Sequence, residues 1–518
     1  MLVIPEKQQL ILDSSQNDFV AKCIPHSKKF VHDGKELLAV KYGVEESIVL
    51  KNMGFSIPEP IRHYYSWPAR FQPMEHQIAT AAFLTTHKRA LCLNAPGTGK
   101  SISSLWAADF LITMGVAKKV LIIAPLSTLK PVWGSEIRHH MPHRQFEICV
   151  GTRKKRLEIL GRAGIQYVII NHDGFTGLAD ELNDFDIVIY DEATALKSPS
   201  SQRFKVFYKW MNKHKPWLWL LTGTPISQTP ADAWTLARLV ESPTVARSYT
   251  AFKDTVMKKV TQFKWIPRED ALTTCKKVLQ PSVRFSLDEC KDLPDTNFVG
   301  RKTELTAQQQ KAFKDMQDKA VTIFAEGEVT ATNTAVMLSK LLQICCGVVY
   351  GEDKTIAIDC ADRYNTLTEL LDEIGEKVIV FVPLKGVQKW LVDKLEKDKY
   401  DCALVNGDVG KKERDEIFYN FQHTDKHKVL IAHPKVAAHG LTLTRAKDII
   451  WYAPIYSLEQ YEQANARIRR LSTEGKTTVW HIYSTKFEAE LYRRLRAKQS
   501  TLAEFLDLVR GINNDDIN

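Results

Sequence analysis

No stretch of this 518-residue chain comes near the roughly 18 consecutive apolar residues that a membrane-spanning helix requires. The opening Met1-Leu2-Val3-Ile4-Pro5-Glu6 lacks the basic start and long apolar core of a secretory signal. Cysteine is sparse and scattered: there are nine, only Cys345 and Cys346 are adjacent, and no pair has the C-x-x-C spacing. That argues against both a disulfide framework and a zinc site, so reduced thiols in a cytoplasm are expected. Low-complexity tracts and a convincing internal repeat are missing too. Neither charge sign dominates: 71 Lys and Arg stand against 61 Asp and Glu, and the net +10 is a faint pointer to a polyanionic partner.

What is present is the composition of an ordinary globular protein, 44% apolar and 25% charged, in a chain too long for one core. Residues 1–70 read as a small accessory α+β unit. Strand-like runs within 29–40 flank Asp33-Gly34, a hairpin signal, and 43–50 reads as a short helix. Nine Lys and Arg against eight Asp and Glu mark no basic patch there, so a structural cap and a DNA-contacting unit are both open. Pro58, Pro60 and Pro68 suggest an extended connector. Over 71–245, β-branched-rich runs at 90–93, 120–124, 167–170, 187–190 and 218–221 alternate with helical stretches. That pattern predicts a doubly wound parallel sheet with ligands off its strand C-termini. Charged helical sequence marks 246–355 as a helical insertion. Runs at 378–382, 402–405, 429–432, 449–452 and 479–483 predict a second α/β domain over 356–500, and 501–518 would hold a helix end and a polar tail.

The chemistry starts where the run 90–93 enters Asn94-Ala95-Pro96-Gly97-Thr98-Gly99-Lys100-Ser101 ahead of a helical stretch. A strand, a loop of exposed amides and a helix N-terminus together make a phosphate cradle. Gly97 and Gly99 let the backbone approach phosphates closely, Lys100 would reach the β and γ oxygens, and the Ser101 hydroxyl would sit on Mg²⁺. Asn94 stands where the strict pattern has Gly, so taken alone the stretch also reads as a Gly-rich turn. The run 187–190 ends in Asp191-Glu192. Asp191 suits a Mg²⁺ shell that keeps its waters, and Glu192 suits a base that deprotonates the water attacking a γ-phosphate. In isolation such a pair is an exposed turn. Thr222-Gly223-Thr224-Pro225 follows the run 218–221 and could relay the state of those carboxylates. Downstream, Gln463-Ala464-Asn465-Ala466-Arg467-Ile468-Arg469-Arg470 puts Arg467 and Arg470 on one helix face. They could neutralise charge developing on the γ-phosphate; a solvated basic face is the alternative.

In this order the four pieces resemble motifs I, II, III and VI of superfamily-two helicases, in the Swi/Snf-type branch of DNA translocases. The resemblance covers about residues 71–500. Phe71-Gln72-Pro73-Met74-Glu75-His76-Gln77 resembles the Q motif, which implies that Gln77 recognises adenine. Residues 121–129 with Trp133 and Glu136 resemble motif Ia, and Asn171-His172-Asp173 sits where motif Ib falls. Leu293-Pro294 followed by Leu305-Thr306 resembles the stretch between lobes, 378–382 motif IV, and His433 through Gly440-Leu441-Thr442-Leu443-Thr444 motif V.

The resemblance implies two RecA-like α/β lobes with a helical insertion between them, and ATP with Mg²⁺ as cofactors. It implies catalysis by Lys100, Asp191, Glu192, Arg467 and Arg470, with ATP held by Gln77, Asn94, Pro96, Gly97, Thr98, Gly99, Lys100, Ser101 and Gly440. Thr222, Gly223, Thr224 and Gln463 would couple the ATP site to motion. DNA would be held through its phosphates by Ser127, Thr128, Lys130, Asn171, Lys385, His433, Lys435 and Thr442. The departures are Asn94, Thr194 in the Asp-Glu-x-His box, Ala437-Ala438 in motif V, and Arg469 and Ser472-Thr473 in motif VI. None removes a catalytic group, and such drift resembles a phage or bacterial member. The expected activity is ATP-driven translocation on duplex, forked or branched DNA, with branch migration or fork remodelling as output in replication, recombination or repair. A monomer working in the cytoplasm, of a bacterial host if phage-encoded, is expected. An RNA helicase and an ATP-binding DNA clamp with little turnover are the competing readings.

Overall fold

The computed structural model describes residues 1–497 apart from 68–71, 227–228, 261–264, 287–288, 291–295, 326–330, 351–354, 438–442 and 469–475, and apart from the side chains of 317–325, 331–335, 338, 355, 411 and 437. Contacts divide the chain into two units, Met1–Cys290 and Lys291–Asn518.

The first unit opens with strands β1 (Leu2–Ile4), β2 (Gln9–Leu12), β3 (Lys28–His32) and β4 (Lys35–Lys41), an antiparallel sheet in the order β1-β2-β4-β3. Asp33 and Gly34 both have positive φ, 50° and 74°, which is the twist a tight hairpin demands and gives the turn the sequence predicts. Helices Asn17–Cys23 and Val44–Asn52 supply Val20 and Leu50 to a core with Leu10, Leu12, Leu38 and Val40. The proline-bearing stretch after them differs from an extended connector. It contains helix Ile61–Tyr64, and Ile61, Tyr65 and Val44 are buried in one cluster with Leu105, Trp106 and Phe110 of the following domain. The Tyr65 hydroxyl donates to Asp109 at 2.5 Å, and Arg62 bridges Glu59 and Glu75. Apolar side chains between the prolines dock the stretch, and proline spacing alone could not report that.

Next come β5 (Arg89–Cys92), β6 (Val120–Ala124), β7 (Phe146–Cys149), β8 (Tyr167–Asn171), β9 (Ile187–Asp191), β10 (Trp217–Leu221), a ribbon of β11 (Met257–Lys259) with β12 (Trp265–Pro267), and β13 (Ser282–Val283). Among the described residues β13-β5-β10-β9-β6-β8-β7 form one sheet, and every pairing in it is parallel. Alternate residues feed opposite layers: Leu121 and Ile123 join one buried cluster, Val120, Ile122 and Ala124 the other. Two-sided burial, at roughly 1.5–3 kcal/mol per large aliphatic side chain, is why these strands read as unbroken apolar runs. Leu221 of β10 pairs with Cys92 on one side and Asp191 on the other. The loops after β5, β9 and β10 therefore leave the sheet side by side.

The second unit holds β14 (Thr296–Lys302), a ribbon of β15 (Val348–Tyr350) with β16 (Thr355–Ala357), β17 (Val378–Phe381), β18 (Cys402–Val405), β19 (Val429–Ala432), β20 (Asp448–Trp451) and β21 (Thr477–Tyr483). The described strands β14-β21-β20-β17-β19-β18 form a second wholly parallel sheet. Helices Ala307–Ala325 and Ala331–Cys345 fall in the stretch expected to be a helical insertion. That stretch is not purely helical, because it also gives β13 to the first sheet and β14 to the second.

Candidate active site

The first unit gathers three of the four sequence-marked pieces at one sheet edge. Helix Lys100–Thr113 follows β5 after a loop in which Gly97 and Gly99 have φ of 87° and 85°. Left-handed backbone at both positions turns successive amides towards one concavity. Gly99 is also constrained sterically, since a Cβ there would lie 2.4 Å from Gln77 Nε2. The Gln77 side chain belongs to helix Glu75–Thr85 and donates to the Thr98 carbonyl at 3.4 Å, and the neighbouring His76 ring meets the same oxygen at 2.9 Å. Lys100 Nζ donates to the carbonyls of Asn94 and Ala95 at 2.8 and 3.1 Å, which holds the ammonium over the loop. Pro96 lies against Gly223, where a Cβ would come within 2.9 Å of the proline ring.

Asn94 has work of its own. Its amide donates to Thr80 Oγ1 at 2.8 Å and its oxygen accepts the Phe285 N–H at 2.9 Å, with the residue almost fully buried. The side chain staples the loop to helix Glu75–Thr85 and to the chain beyond β13, turned inward rather than towards a phosphate. This gives the departure from the Gly pattern a structural cause.

Asp191 closes β9 beside that loop. The Trp133 indole donates to Asp191 Oδ2 at 3.0 Å, the Glu192 N–H to Oδ1 at 3.0 Å, and His172 Nε2 to the Asp191 carbonyl at 2.9 Å. Desolvation pushes the Asp191 carboxyl above its ordinary range, opposed by the Trp133 bond and by the Lys100 charge. Glu192 has φ of 50°, left-handed backbone that a glutamate rarely adopts, so its side chain is aimed by strain that the surroundings hold in place. Thr222 is buried, its hydroxyl accepts the Thr224 N–H at 3.2 Å, and its own N–H donates to Cys92 O at 3.0 Å. Thus Gln77, Gly97, Gly99, Lys100, Ser101, Asp191, Glu192, Thr222, Gly223 and Thr224 come from contiguous elements of one edge.

The residues expected to contact DNA divide by burial. Lys130 is exposed and Ser127 partly so. Thr128 is buried with its hydroxyl donating to Pro125 O at 2.9 Å, and Asn171 is buried with its oxygen accepting Arg156 at 3.2 Å. In the second unit Lys385 is exposed and paired with Asp408 at 2.7 Å, and Lys435 is exposed. His433 Nδ1 accepts the Lys435 N–H at 3.1 Å. Desolvation lowers the His433 pKa, with the Lys435 charge in the same sense and a hydrogen bond to Pro383 against it. A neutral imidazole can position a phosphate but adds no charge. Arg467 is buried, with Nε donating to Gln463 O at 3.1 Å, and Gln463 Nε2 donates to Glu459 at 3.3 Å. Arg470, Gly440 and Thr442 lie outside the described residues.

Residues 76–348 match the SNF2-related domain, and residues 362–472 match the helicase conserved C-terminal domain. The chain belongs to the SNF2-related family. It is accordingly a DNA-dependent ATPase of the helicase class, with ATP as its nucleotide. A protein called p41 from Acyrthosiphon pisum secondary endosymbiont phage 1 is 25% identical over 432 residues, 77% of this chain and 88% of that one. Chromodomain-helicase-DNA-binding protein 9 of Mus musculus is 25% identical over 463 residues, 80% of this chain; the chain spans only 16% of that relative's length. A solved Sulfolobus solfataricus SWI2/SNF2 ATPase core in complex with dsDNA is 20% identical, with a TM-score of 0.39, covering 86% of this chain and 94% of that one.

For this SNF2-related chain several site side chains carried no separable sequence signal. His76 and His172 tie backbone carbonyls, and Trp133, noted only as part of a short resemblance, clamps the acid. Trp219 and Trp451 are as fully buried, and what sets Trp133 apart is its indole N–H, which donates to Asp191. The loop makes a direct prediction. Gly99→Ala should cost about 1–2 kcal/mol in left-handed strain and push Gln77 away, read as a lower thermal midpoint together with weakened binding of a fluorescent ATP analogue.

Proposed function

We propose that this protein is an ATP-driven translocase that remodels duplex, forked or branched DNA, by branch migration or fork remodelling, in replication, recombination or repair. The observation that carries the motor reading is that the Gly97–Gly99 loop with Lys100 follows β5 while Asp191 and Glu192 lie at the end of β9, the two strands flanking β10 at the same sheet edge. Lys100 binds and orients the β and γ phosphates, and Glu192 takes the proton from the attacking water. A divalent cation fits the donor set: the Ser101 hydroxyl and the Asp191 carboxylate are hard oxygens. Among the described residues no group of three or more His, Cys, Asp or Glu could hold a metal. The ion would therefore share its shell with phosphate oxygens and water, as Mg²⁺ does, and would supply charge neutralisation to the phosphates. Arg467 and Arg470 are assigned to the charge developing on the γ-phosphate, and Thr222, Gly223, Thr224 and Gln463 to coupling. Ser127, Thr128, Lys130, Asn171, Lys385, His433, Lys435 and Thr442 are assigned to DNA phosphates, with the chain acting as a monomer in the cytoplasm. Membership of a family whose Swi/Snf-type members translocate supports translocation over processive strand separation.

ATP turnover measured on single-stranded, duplex, forked and four-way DNA and on RNA tests this. Forked or four-way DNA should stimulate most and be converted to new branch products. Preferential activation by RNA would make the protein an RNA helicase, and binding of DNA with unstimulated turnover would make it a clamp.

A further inference from the structure

The N-terminal sheet has one face whose β2 and β4 side chains are buried under the helices, with Val31 of β3 71% exposed at its margin, and a second face whose side chains are exposed or half-buried. Cross-strand register assigns every side chain to a face. Leu38 pairs with Lys29 and with Leu12, so Lys29 and Val31 share the helix-covered side. Lys29 there meets Asp18 and Glu36. The other side receives Leu2 and Ile4 of β1, Gln9 and Ile11 of β2, Lys28, Phe30 and His32 of β3, and Lys35, Leu37, Ala39 and Lys41 of β4. None of these is acidic. The nearly balanced composition of residues 1–70 therefore conceals a segregation that the register imposes, with the strand carboxylate Glu36 on the covered side and most of the strand lysines on the open one.

Leu2 is 60% exposed and Phe30 37% exposed, with Ile11 and Leu37 half-buried between them, so the centre of the open face is apolar and carries an aromatic ring. Lys28 and Lys41 are exposed beside it. At the hairpin end His32 and Lys35 lie 3.6 and 3.8 Å from Asp33 and Asp13, which makes the rim mixed and leaves Lys28 and Lys41 as the cations of the face itself.

We propose that this face binds single-stranded DNA. Exposed lysines answer phosphate charge, and an apolar centre with a phenylalanine answers the faces of unstacked bases, every one of which offers a π surface. Duplex DNA presents mainly phosphates outward and its base edges only inside grooves, so an apolar sheet face has nothing to gain from it. The proposal rests on the reading of the protein as a DNA motor and extends it. The N-terminal unit would take the unpaired strand of a fork or branch. The Tyr65–Asp109 bond and the buried Val44, Ile61 and Tyr65 then fix that strand's position relative to the phosphate loop within the first unit.

The test uses the full chain, an oligo(dT) probe and a blunt duplex, both without nucleotide. Phe30→Leu keeps the apolar surface and removes the ring; Phe30→Tyr keeps the ring. Phe30→Leu should weaken oligo(dT) binding roughly tenfold while Phe30→Tyr stays near wild type. Lys28→Gln with Lys41→Gln should weaken it too, and flatten the dependence of log affinity on log salt by about 1.4 for two phosphate contacts. Duplex binding and duplex-stimulated ATPase should be unchanged in all of them. Unchanged oligo(dT) affinity overturns the proposal, as does equal weakening for duplex. Wild type eluting as a dimer that the variants abolish would make the occupant a second copy of the chain. Failure of the motor reading would appear separately, as absent duplex-stimulated turnover in the wild type with the oligo(dT) result intact.

Discussion

Glu192→Gln should bind ATP as the wild type does and hydrolyse it about 10²–10⁴-fold more slowly in the presence of DNA, the usual contribution of a general base. Glutamine matches the size of glutamate and keeps an oxygen that can orient water, but it cannot take the water's proton. The substitution leaves the surroundings of the strand end alone. Asp191 still accepts from Trp133 and from the N–H of residue 192, and the left-handed backbone at 192 is no more strained for glutamine than for glutamate. Phosphate release should fall while the affinity of a fluorescent ATP analogue holds. Lys100→Ala provides the contrast, because removing the ammonium now bonded to Asn94 and Ala95 takes away the group proposed to hold the phosphates and should weaken binding as well. Equal turnover by wild type and Glu192→Gln would remove Glu192 from the chemistry and leave the clamp reading in place.

How far the sequence could be read follows from which side chains the sheets bury. Strands covered on both faces, such as β6 and β8, are apolar at nearly every position and were legible at once. Of the four outer strands only β18 was, as the run 402–405; the other three were not. β7 carries Glu147, β14 reads Thr-Asn-Phe-Val-Gly-Arg-Lys, and β13 is two residues long, so none has a run to detect. Edge strands pair on one side only and tolerate charge that discourages further pairing. In the site, the residues assigned a chemistry by their type, Gly-Lys-Ser for phosphate and a carboxylate for water activation, could be picked out as candidates, and the structure brings them to one sheet edge. Residues that act by position could not. Asn94 stands where the pattern has glycine and is a staple, the Thr128 hydroxyl and the Asn171 oxygen are bonded within the fold, and Trp133, marked only as part of a motif resemblance, restrains Asp191. The left-handed backbone of Glu192 has no sequence signature, since nothing in residue type announces it.

The same blindness hid the ion pair on which the second unit depends. Arg363, in helix Ala361–Ile374, and Glu488, in helix Lys486–Arg496, are 1% and 0% exposed. One guanidinium nitrogen donates to both Glu488 oxygens at 2.7 Å and to Ser484 Oγ at 2.9 Å, and another donates to the Tyr452 carbonyl at 2.6 Å. The Ser484 N–H donates to Glu488 at 2.8 Å. Burial alone would drive the guanidinium towards its neutral form; the Glu488 carboxylate more than reverses it, so the arginine stays charged. Glu488→Ala removes the counter-charge and leaves a cation sealed between β20, β21 and two helices, which should destabilise the unit by about 3–5 kcal/mol. At roughly 2–4 °C per kcal/mol for a domain of 150–250 residues, its unfolding transition should fall by about 10 °C while that of the first unit stays put. Replacing both partners, Arg363→Met with Glu488→Leu, should recover most or all of the loss, because no charge is then buried without a partner. If the single and double variants unfolded at the same temperature, packing volume rather than the uncompensated charge would be what Glu488 contributes.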